Sequence, residues 1–520
     1  MTRERLVRGK AIDLGDQALI EAEDADRAAE EAITDSEALR QELRRDTELR
    51  REQVPHGRSV RGSGRDTDRR AGGVDGMKKN ATLRRETFRT SRLLEYFSEK
   101  ELVLQTGHEP DRWPEVILKE LLDNSLDACE EAGTLPHVTI EIGKDHIIVE
   151  DNGPGIPPNV IKGVLDYSVR TSSKDAYISP TRGAQGNALK TICAVPYVLS
   201  GCERGEVLIT SRSQQHQIRI TVDRIAQQPV IRHGVSPDGL VKTGTRILVR
   251  WPDSACSILE DAGPRFLQMV GAYSLFNPHA TLSIRIGQTQ TDYPRSSQAC
   301  AKWVASEPTS PHWYTVQQLR ALACAYITAE RNGARPRTVR EFISEFRGLS
   351  GTAKQKTILA TLPVAGVHLR DLVKNGDVDH KAITALLDAM QHESRPVKPA
   401  ALGVLGEEYL TAWLEQQPGG ATTATYTKTA GVDDESGRSF VVETAFGVRQ
   451  DNGALRMLTG INWAPTLVDP FRALNDYGLS LDGLLGRLHL QENHPVTFVL
   501  HLACPHLNYT DRGKSSLERL

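Results

Sequence analysis

Residues 119–133, KELLDNSLDACEEAG, carry two patterns at once. At helical period, Leu121, Leu122, Ser125, Leu126 and Cys129 fall on one arc and predict a helix with a buried inner face. Glu120, Asn124 and Asp127 follow the spacing i, i+4, i+7 and line a second face about two turns long. A carboxylate one turn before a carboxamide suits a water-activating base beside a ligand for a divalent metal. Read alone, the stretch also fits an ordinary amphipathic surface helix, and the chain on its C-terminal side separates the two readings.

There, HVTIEI and HIIVE alternate or run apolar like two strands of a hairpin turned by GKD. The second strand runs into EDNGPGIPP, which holds Asp151, Gly153 and Gly155. DNG is ordinary chemistry for a hairpin tip. Its functional reading is that the glycines let the backbone approach a flat ligand while Asp151 accepts a hydrogen bond from it. Next comes SSKDAYISPTRGAQGNALKTICAVPYVLSG, where Gly183 and Gly186 precede a helix expected from about Ala188. Backbone N–H groups gathered before a helix N-terminus cradle phosphate, and Lys174 and Lys190 flank this loop. A flexible surface loop is the plain reading of that segment taken alone. GEVLITSRS, QIRITVDR and GTRILVRWP then read as strands of one sheet, with Gly244 and Thr245 opening the last.

Together and in this order, E-LLDN-SLDA, DNGPGI and RGAQGNALK resemble the nucleotide boxes of the GHKL (Bergerat-fold) ATPase superfamily, which includes gyrase, heat-shock-90 chaperones, histidine kinases and MutL. Histidine kinases usually lack a carboxylate at the position of Glu120. MutL is closer, with a similar first box and an RGEAL loop. The downstream sequence resembles the B-type subunit of DNA topoisomerase VI, the type IIB ATPase subunit. KPAALGVLGEEYL is similar to its LSPIGEE stretch, and SFVVETAFGV and RMLTGINWAP to two of its transducer strands. VTFVLHLACPHLNYTDRGKSSL is similar to the last transducer strand and its lysine loop, and TVREFISEFRGLSGTAKQKTI to the helix–two-turns–helix insert. The resemblance runs from about Phe88 to the end of the chain.

This resemblance implies an α+β fold: a GHKL ATPase sandwich with a mixed sheet and helices on one face, a small helix–two-turns–helix insert, and a βαβ-type transducer domain. The expected divisions are 1–80, a charged helical or disordered extension; 81–255, the ATPase domain; 256–310, its end or a connector; 311–395, the helical insert; and 396–520, the transducer. In the family a long stalk helix follows the lysine loop; here the chain stops six residues after Lys514, so that helix is expected to be missing.

The implied cofactors are ATP and Mg²⁺. Glu120 would be the general base and Asn124 the metal ligand. Asp151 would bond the adenine amino group with Thr245 supporting it through water, and Asp127, Gly153 and Gly155 would join the nucleotide-binding set. Ser173, Lys174 and the run Gly183, Ala184, Gln185, Gly186, Asn187, Ala188, Leu189 and Lys190 match nucleotide-contacting positions and the phosphate-lid loop. Lys514 matches the transducer lysine that reaches the γ-phosphate. Where the family usually has a further glycine and an aliphatic residue, this loop has Ala188 and Asn187, which narrows backbone freedom.

The implied partners are duplex DNA, a second copy joined on ATP binding, and an A-type subunit that cleaves DNA. No domain combining a tyrosine nucleophile with an acidic metal cluster is legible in this chain. The alternative is a non-topoisomerase ATP-gated DNA clamp, a MutL-like repair or defence switch. A pure interaction module with a decayed site is opposed by the intact Glu120, Asn124, Asp151 and Lys514. Lys354 and Lys356, with Arg335, Arg337 and Arg340, form a local basic cluster suited to DNA.

Composition agrees with these expectations. A chain of 520 residues suggests two to four domains. Its 39% hydrophobic and 25% charged residues are those of a soluble globular protein, and a net charge of -3 makes no case of its own for nucleic acid. Seven cysteines, scattered and never spaced CxxC, argue against a disulfide framework or a structural zinc and for a reducing, cytoplasmic setting. No apolar run approaches the ~18 residues of a membrane span, and MTRERLVRGK lacks the apolar core of a signal peptide. Residues 1–50 read as a charged solvated helix and 55–76 as a disordered basic linker. Helical patterning resumes over 81–100, with Phe88, Leu93, Leu94, Tyr96 and Phe97 expected to be buried.

Overall fold

The computed structural model describes residues 96–509 and 517, apart from 166, 168–175, 183–187, 224, 226–227, 239–240, 242, 300, 364–366, 418, 435, 452 and 472–479. The expected N-terminal extension, Phe88, Leu93 and Leu94 therefore lie outside the described residues, as do Ser173, Lys174, Gly183, Ala184, Gln185, Gly186, Asn187 and Lys514.

The first described helix, α1 (Glu99–Thr106), starts where Ser98 Oγ accepts the Glu101 N–H at 3.3 Å. It stops at Gly107, whose φ of +70° suits a residue without a Cβ. Phe97 is buried just ahead of it and Tyr96 half-buried. Pro114 pre-sets the first turn of α2 (Trp113–Glu131), and Leu121, Leu122, Ser125, Leu126 and Cys129 are all buried on its inner face as their spacing predicts. The hairpin of β1 (His137–Ile142) and β2 (His146–Asp151) follows, turned by residues 143–145. Then come α3 (Pro158–Val164), α4 (Ala188–Leu199), β3 (Gly205–Ser211), β4 (Gln214–Asp223), β5 (Gln228–Pro237), β6 (Thr245–Arg250), α5 (Cys256–Asp261), α6 (Gly263–Phe276), β7 (Thr281–Ile286) and β8 (Thr289–Tyr293).

These strands form one sheet in the order β5-β4-β3-β6-β2-β1-β7-β8. All neighbours are antiparallel except β1 and β7, which run parallel, so the sheet is mixed. Its apolar face, including Val138, Ile140, Val149, Val207 and Leu282, packs with Leu118, Leu122, Leu126, Ile192 and Phe266 from α2, α4 and α6. Side chains of opposite parity point to the other face, where Arg285 pairs with Glu141 and Arg246 with Glu150, each at 2.7 Å. The sequence pattern predicts five of the eight strands. It misses β5, whose residues are interrupted by proline and glycine and mostly exposed, and the β7–β8 pair that carries the sheet to residue 293.

A second, helical core surrounds Trp303, Trp313, Leu322, Phe342, Phe346 and Leu386. It contains α7 (Val316–Arg331), α8 (Val339–Ser344), α9 (Thr352–Ala360), the short pair β9 (Val373–Lys374) and β10 (Asp377–Val378), and α10 (His380–Glu393). Capping boxes at Thr315 and Thr338 open α7 and α8. The chain continues through α11 (Glu407–Gln416) into β11 (Ala421–Val432), β12 (Ser439–Arg449), β13 (Arg456–Ile461), β14 (Ala464–Pro465), α12 (Leu481–Arg487) and β15 (Val496–Ala503). These strands form a five-stranded sheet, order β11-β12-β15-β13-β14. β13 and β15 lie side by side in parallel with α12 on the connection, a βαβ arrangement. The end of α6 reaches into this sheet, where Leu275 and Phe276 pack with Leu410, Ala445, Trp463 and Val499. The architecture is mixed α+β. Among the described residues no helix is long and apolar enough to cross a membrane, and the six described cysteines are unbridged.

Candidate functional site

Strand β2 ends by carrying the Asp151 carboxylate beneath α2. Its Oδ1 accepts the backbone N–H groups of Gly153 at 2.9 Å and Thr245 at 3.2 Å, and its Oδ2 accepts the Ser125 hydroxyl at 3.3 Å. The residue is 8% exposed. Burial is the largest influence and raises its pKa above the ordinary 3.8, although all three donors pull the other way.

The turn after Asp151 is packed too closely for side chains. A Cβ on Gly155, where φ is +76°, would lie 2.7 Å from Ser211 Oγ and 3.0 Å from the Gly244 carbonyl. On Gly244, where φ is +87°, it would fall 1.9 Å from the Asp151 carbonyl. A Cβ on Gly153 would sit 3.0 Å from Asp151 Oδ1 and 3.4 Å from Cys129 Sγ. Ser211 Oγ stitches the turn to β6, accepting the Ile156 N–H at 2.8 Å and donating to the Gly244 carbonyl at 3.1 Å.

On the second face of α2, Glu120 is half-buried and Asn124 exposed. Asp127, two turns on from Glu120, is bound by Arg182 Nη1 at 2.6 Å. The same guanidinium grips Glu130 with both nitrogens, at 2.8 and 2.7 Å, and its Nη2 also donates to Asn277 Oδ1. Glu130 further takes Lys302 Nζ at 2.6 Å and His279 Nε2 at 2.7 Å. Burial works against the Glu130 charge, yet Arg182 and Lys302 hold its carboxyl well below the usual range. Burial pushes the Asp127 carboxyl up, against the pull of Arg182 and Lys302, and pushes the His279 imidazole down, against its bond to Glu130. Lys190 is buried, its ammonium 5.7 Å from the Tyr167 ring centre, and Leu189 is half-buried at the start of α4.

The structure thus brings Asp151, Gly153, Gly155 and Thr245 together under the helix that bears Glu120 and Asn124. It attaches Asp127 to an ionic cluster that sequence reasoning missed, along with the polar roles of Ser125 and Ser211. No local signal marks Arg182, since its partners Glu130 and Asn277 are 52 and 95 residues away in the chain.

Residues 110–254, from just before α2 to just beyond β6, match the histidine kinase-, DNA gyrase B- and HSP90-like ATPase family. They form a GHKL ATPase domain. Over a longer stretch, the chain is similar to the B-type subunit of the type 2 DNA topoisomerase 6 of Archaeoglobus fulgidus, 24% identical over 417 residues, which cover 77% of this chain and 66% of that protein. Its similarity to the same-named protein of Thermococcus onnurineus is 25% over 455 residues, 77% of each. The chain therefore spans 66% and 77% of the lengths of these two relatives. The ATPase domain of Thermus thermophilus gyrase B aligns with 81% of this chain and 84% of its own length, at 12% identity and a TM-score of 0.33.

Proposed function

We propose that this chain is the ATP-binding and hydrolysing B-type subunit of a type IIB DNA topoisomerase-like complex in the cytoplasm. In this reading two copies close on ATP around duplex DNA, and a separate A-type subunit cuts the strands. The observation that carries it is the Asp151 carboxylate, buried at the end of β2 directly beneath the helix that presents Glu120 and Asn124. A carboxylate offers about four lone-pair sites. Three are taken here, so Oδ2 keeps one for an amino group of a flat base, while Gly153 and Gly155 keep side chains out of its way.

The donor set also suits Mg²⁺. Asn124 is exposed one turn from Glu120 and offers a hard carboxamide oxygen, and Mg²⁺ takes few protein ligands beside phosphate and water. When bound, the ion supplies charge neutralisation across the phosphate oxygens. Glu120 orients the attacking water and accepts its proton. Such transfer depends on positioning and electrostatics more than on covalent help.

Similarity to the B-type subunits of two topoisomerase 6 enzymes, across 77% of the chain, supports the wider assignment. The DNA contact is better sited than the sequence cluster. Arg335 is paired with Glu341 at 2.6 Å, Arg337 with Glu345 while lying over the Tyr326 ring, and Arg340 donates to Gln355 at 3.1 Å. A surface cleft of about 550 Å³ instead brings Lys354, Arg395 and Lys398 together beside Arg347, which is itself paired with Glu307 at 2.7 Å, and no acidic residue is among the described residues lining the cleft.

The test is steady-state ATP turnover with Mg²⁺, with and without duplex DNA, beside Glu120→Ala. Turnover should rise with DNA and vanish in the variant while nucleotide still binds. Turnover that survives Glu120→Ala would remove the proposed base.

A further inference from the structure

Asn277 is fully buried, and its neighbours settle how its amide lies. Nδ2 faces two carbonyls, donating at 2.9 Å to Tyr273 in α6 and at 2.9 Å to Trp463 in the turn between β13 and β14. Oδ1 is left to accept Arg182. Arg182 in turn holds Asp127 and Glu130, so one guanidinium and one carboxamide join α2, α6 and the second sheet. Lys302 reinforces the same junction, bonding Glu130 at 2.6 Å with its ammonium 5.7 Å from the Trp463 ring centre. Tyr273 adds a further tie between the helices by donating to Asp123 at 2.6 Å.

Resting on the reading of Asn124 as a metal ligand, we propose that Arg182 is a positioning residue of the ATPase site. It locks the far end of the α2 face bearing Glu120 and Asn124 against α6 and, through Asn277, against the β13–β14 turn. A helix moves as a rigid rod over such a distance, so a slip at Asp127 displaces Asn124 one turn away. Asp151 belongs to β2 and its Oδ1 is held by two backbone donors outside α2, with Ser125 on Oδ2 its one bond to that helix among the described residues, so base recognition is less exposed to that slip. A planar fork fits this task where a point charge does not: Arg182 meets the two oxygens of Glu130 and still reaches Asp127 and Asn277.

The test uses the full chain carrying Arg182→Lys, which keeps the charge and loses the fork. Asn277→Ala is the second variant and leaves every charge in place. Calorimetry measures affinity for ADP and for a non-hydrolysable ATP analogue, each with and without Mg²⁺, beside melting temperatures. In both variants the Mg²⁺-dependent gain in triphosphate affinity should fall about tenfold, while metal-free ADP affinity stays within about twofold. A gain that survives in folded variants with lowered melting temperatures makes Arg182 merely structural and overturns the proposal. Equal loss of ADP and triphosphate affinity overturns it too. If Arg182→Lys does not fold, Asn277→Ala decides by the same readings. Absence of all nucleotide binding in the unsubstituted chain overturns the ATPase reading itself, and this proposal with it.

Discussion

The backbone N–H of Thr245 donates to Asp151 Oδ1 at 3.2 Å, joining the first residue of β6 to the last residue of β2 across 94 positions of chain. Together with Gly153 it occupies Oδ1 and leaves Oδ2 to Ser125 and to a ligand.

Asp151→Asn keeps the Oδ1 acceptor and removes a buried charge. The folded carboxyl titrates above its unfolded value of 3.8, so this group's contribution declines as pH rises from there through the raised value. At neutral pH the variant should gain about 1 kcal/mol of stability, while ATP affinity falls about tenfold through loss of a charged acceptor. Thermal melts and calorimetry read the two effects. A variant that loses stability and keeps ATP affinity would contradict this account of Asp151.

Gly244→Ala places a methyl group 1.9 Å from the Asp151 carbonyl at a left-handed φ. It should destabilise the chain by more than about 2 kcal/mol and weaken nucleotide binding even at temperatures where it folds. Gly163→Ala in α3 meets nothing within 4 Å and serves as the control. It should be neutral or gain up to about 1 kcal/mol in denaturant melts.

Glu443 predicts an acid limb to stability. Fully buried, it accepts from the Leu405 and Gly406 N–H groups at 2.8 Å each and lies 2.9 Å from both Tyr426 Oη and His501 Nδ1. Burial opposes its charge, but His501 and the backbone donors bring the carboxyl below 4.5. Its stabilisation is therefore present above the unfolded value and lost as pH falls through the lower folded one. Melting temperature should drop on acidifying below 4.5. Glu443→Gln should lower stability by about 3 kcal/mol at neutral pH and flatten that limb. An unchanged acid slope in the variant would assign the limb to other carboxylates.

For DNA, replacing Lys354, Arg395 and Lys398 together with alanine should weaken duplex binding and reduce the slope of log affinity against log salt by roughly three, about 0.9 for each phosphate no longer neutralised. Arg335→Ala, whose guanidinium is already paired with Glu341, should leave the slope unchanged. Binding titrations across a salt series separate the two. An unaltered slope in the triple variant would take the cleft out of the DNA interface.

The sequence by itself determined the pieces whose signals are local. The inner arc of residues 119–133, the hairpin turned at 143–145, the start of β6 at Thr245 and the helix opening at Ala188 all follow from periodicity and turn chemistry within a few residues. Only the tertiary structure decided which distant groups meet. It set the parallel pairing of β1 with β7, the Asp151–Thr245 bond, the fork of Arg182 on Glu130, and the pairing of Arg335 with Glu341 and of Arg337 with Glu345. A carboxylate in a sequence carries no record of its burial or its counter-ion. Those depend on which residues far apart in the chain come together, and they separate the solvated carboxamide of Asn124 from the buried, paired carboxylate of Glu130 a few residues later.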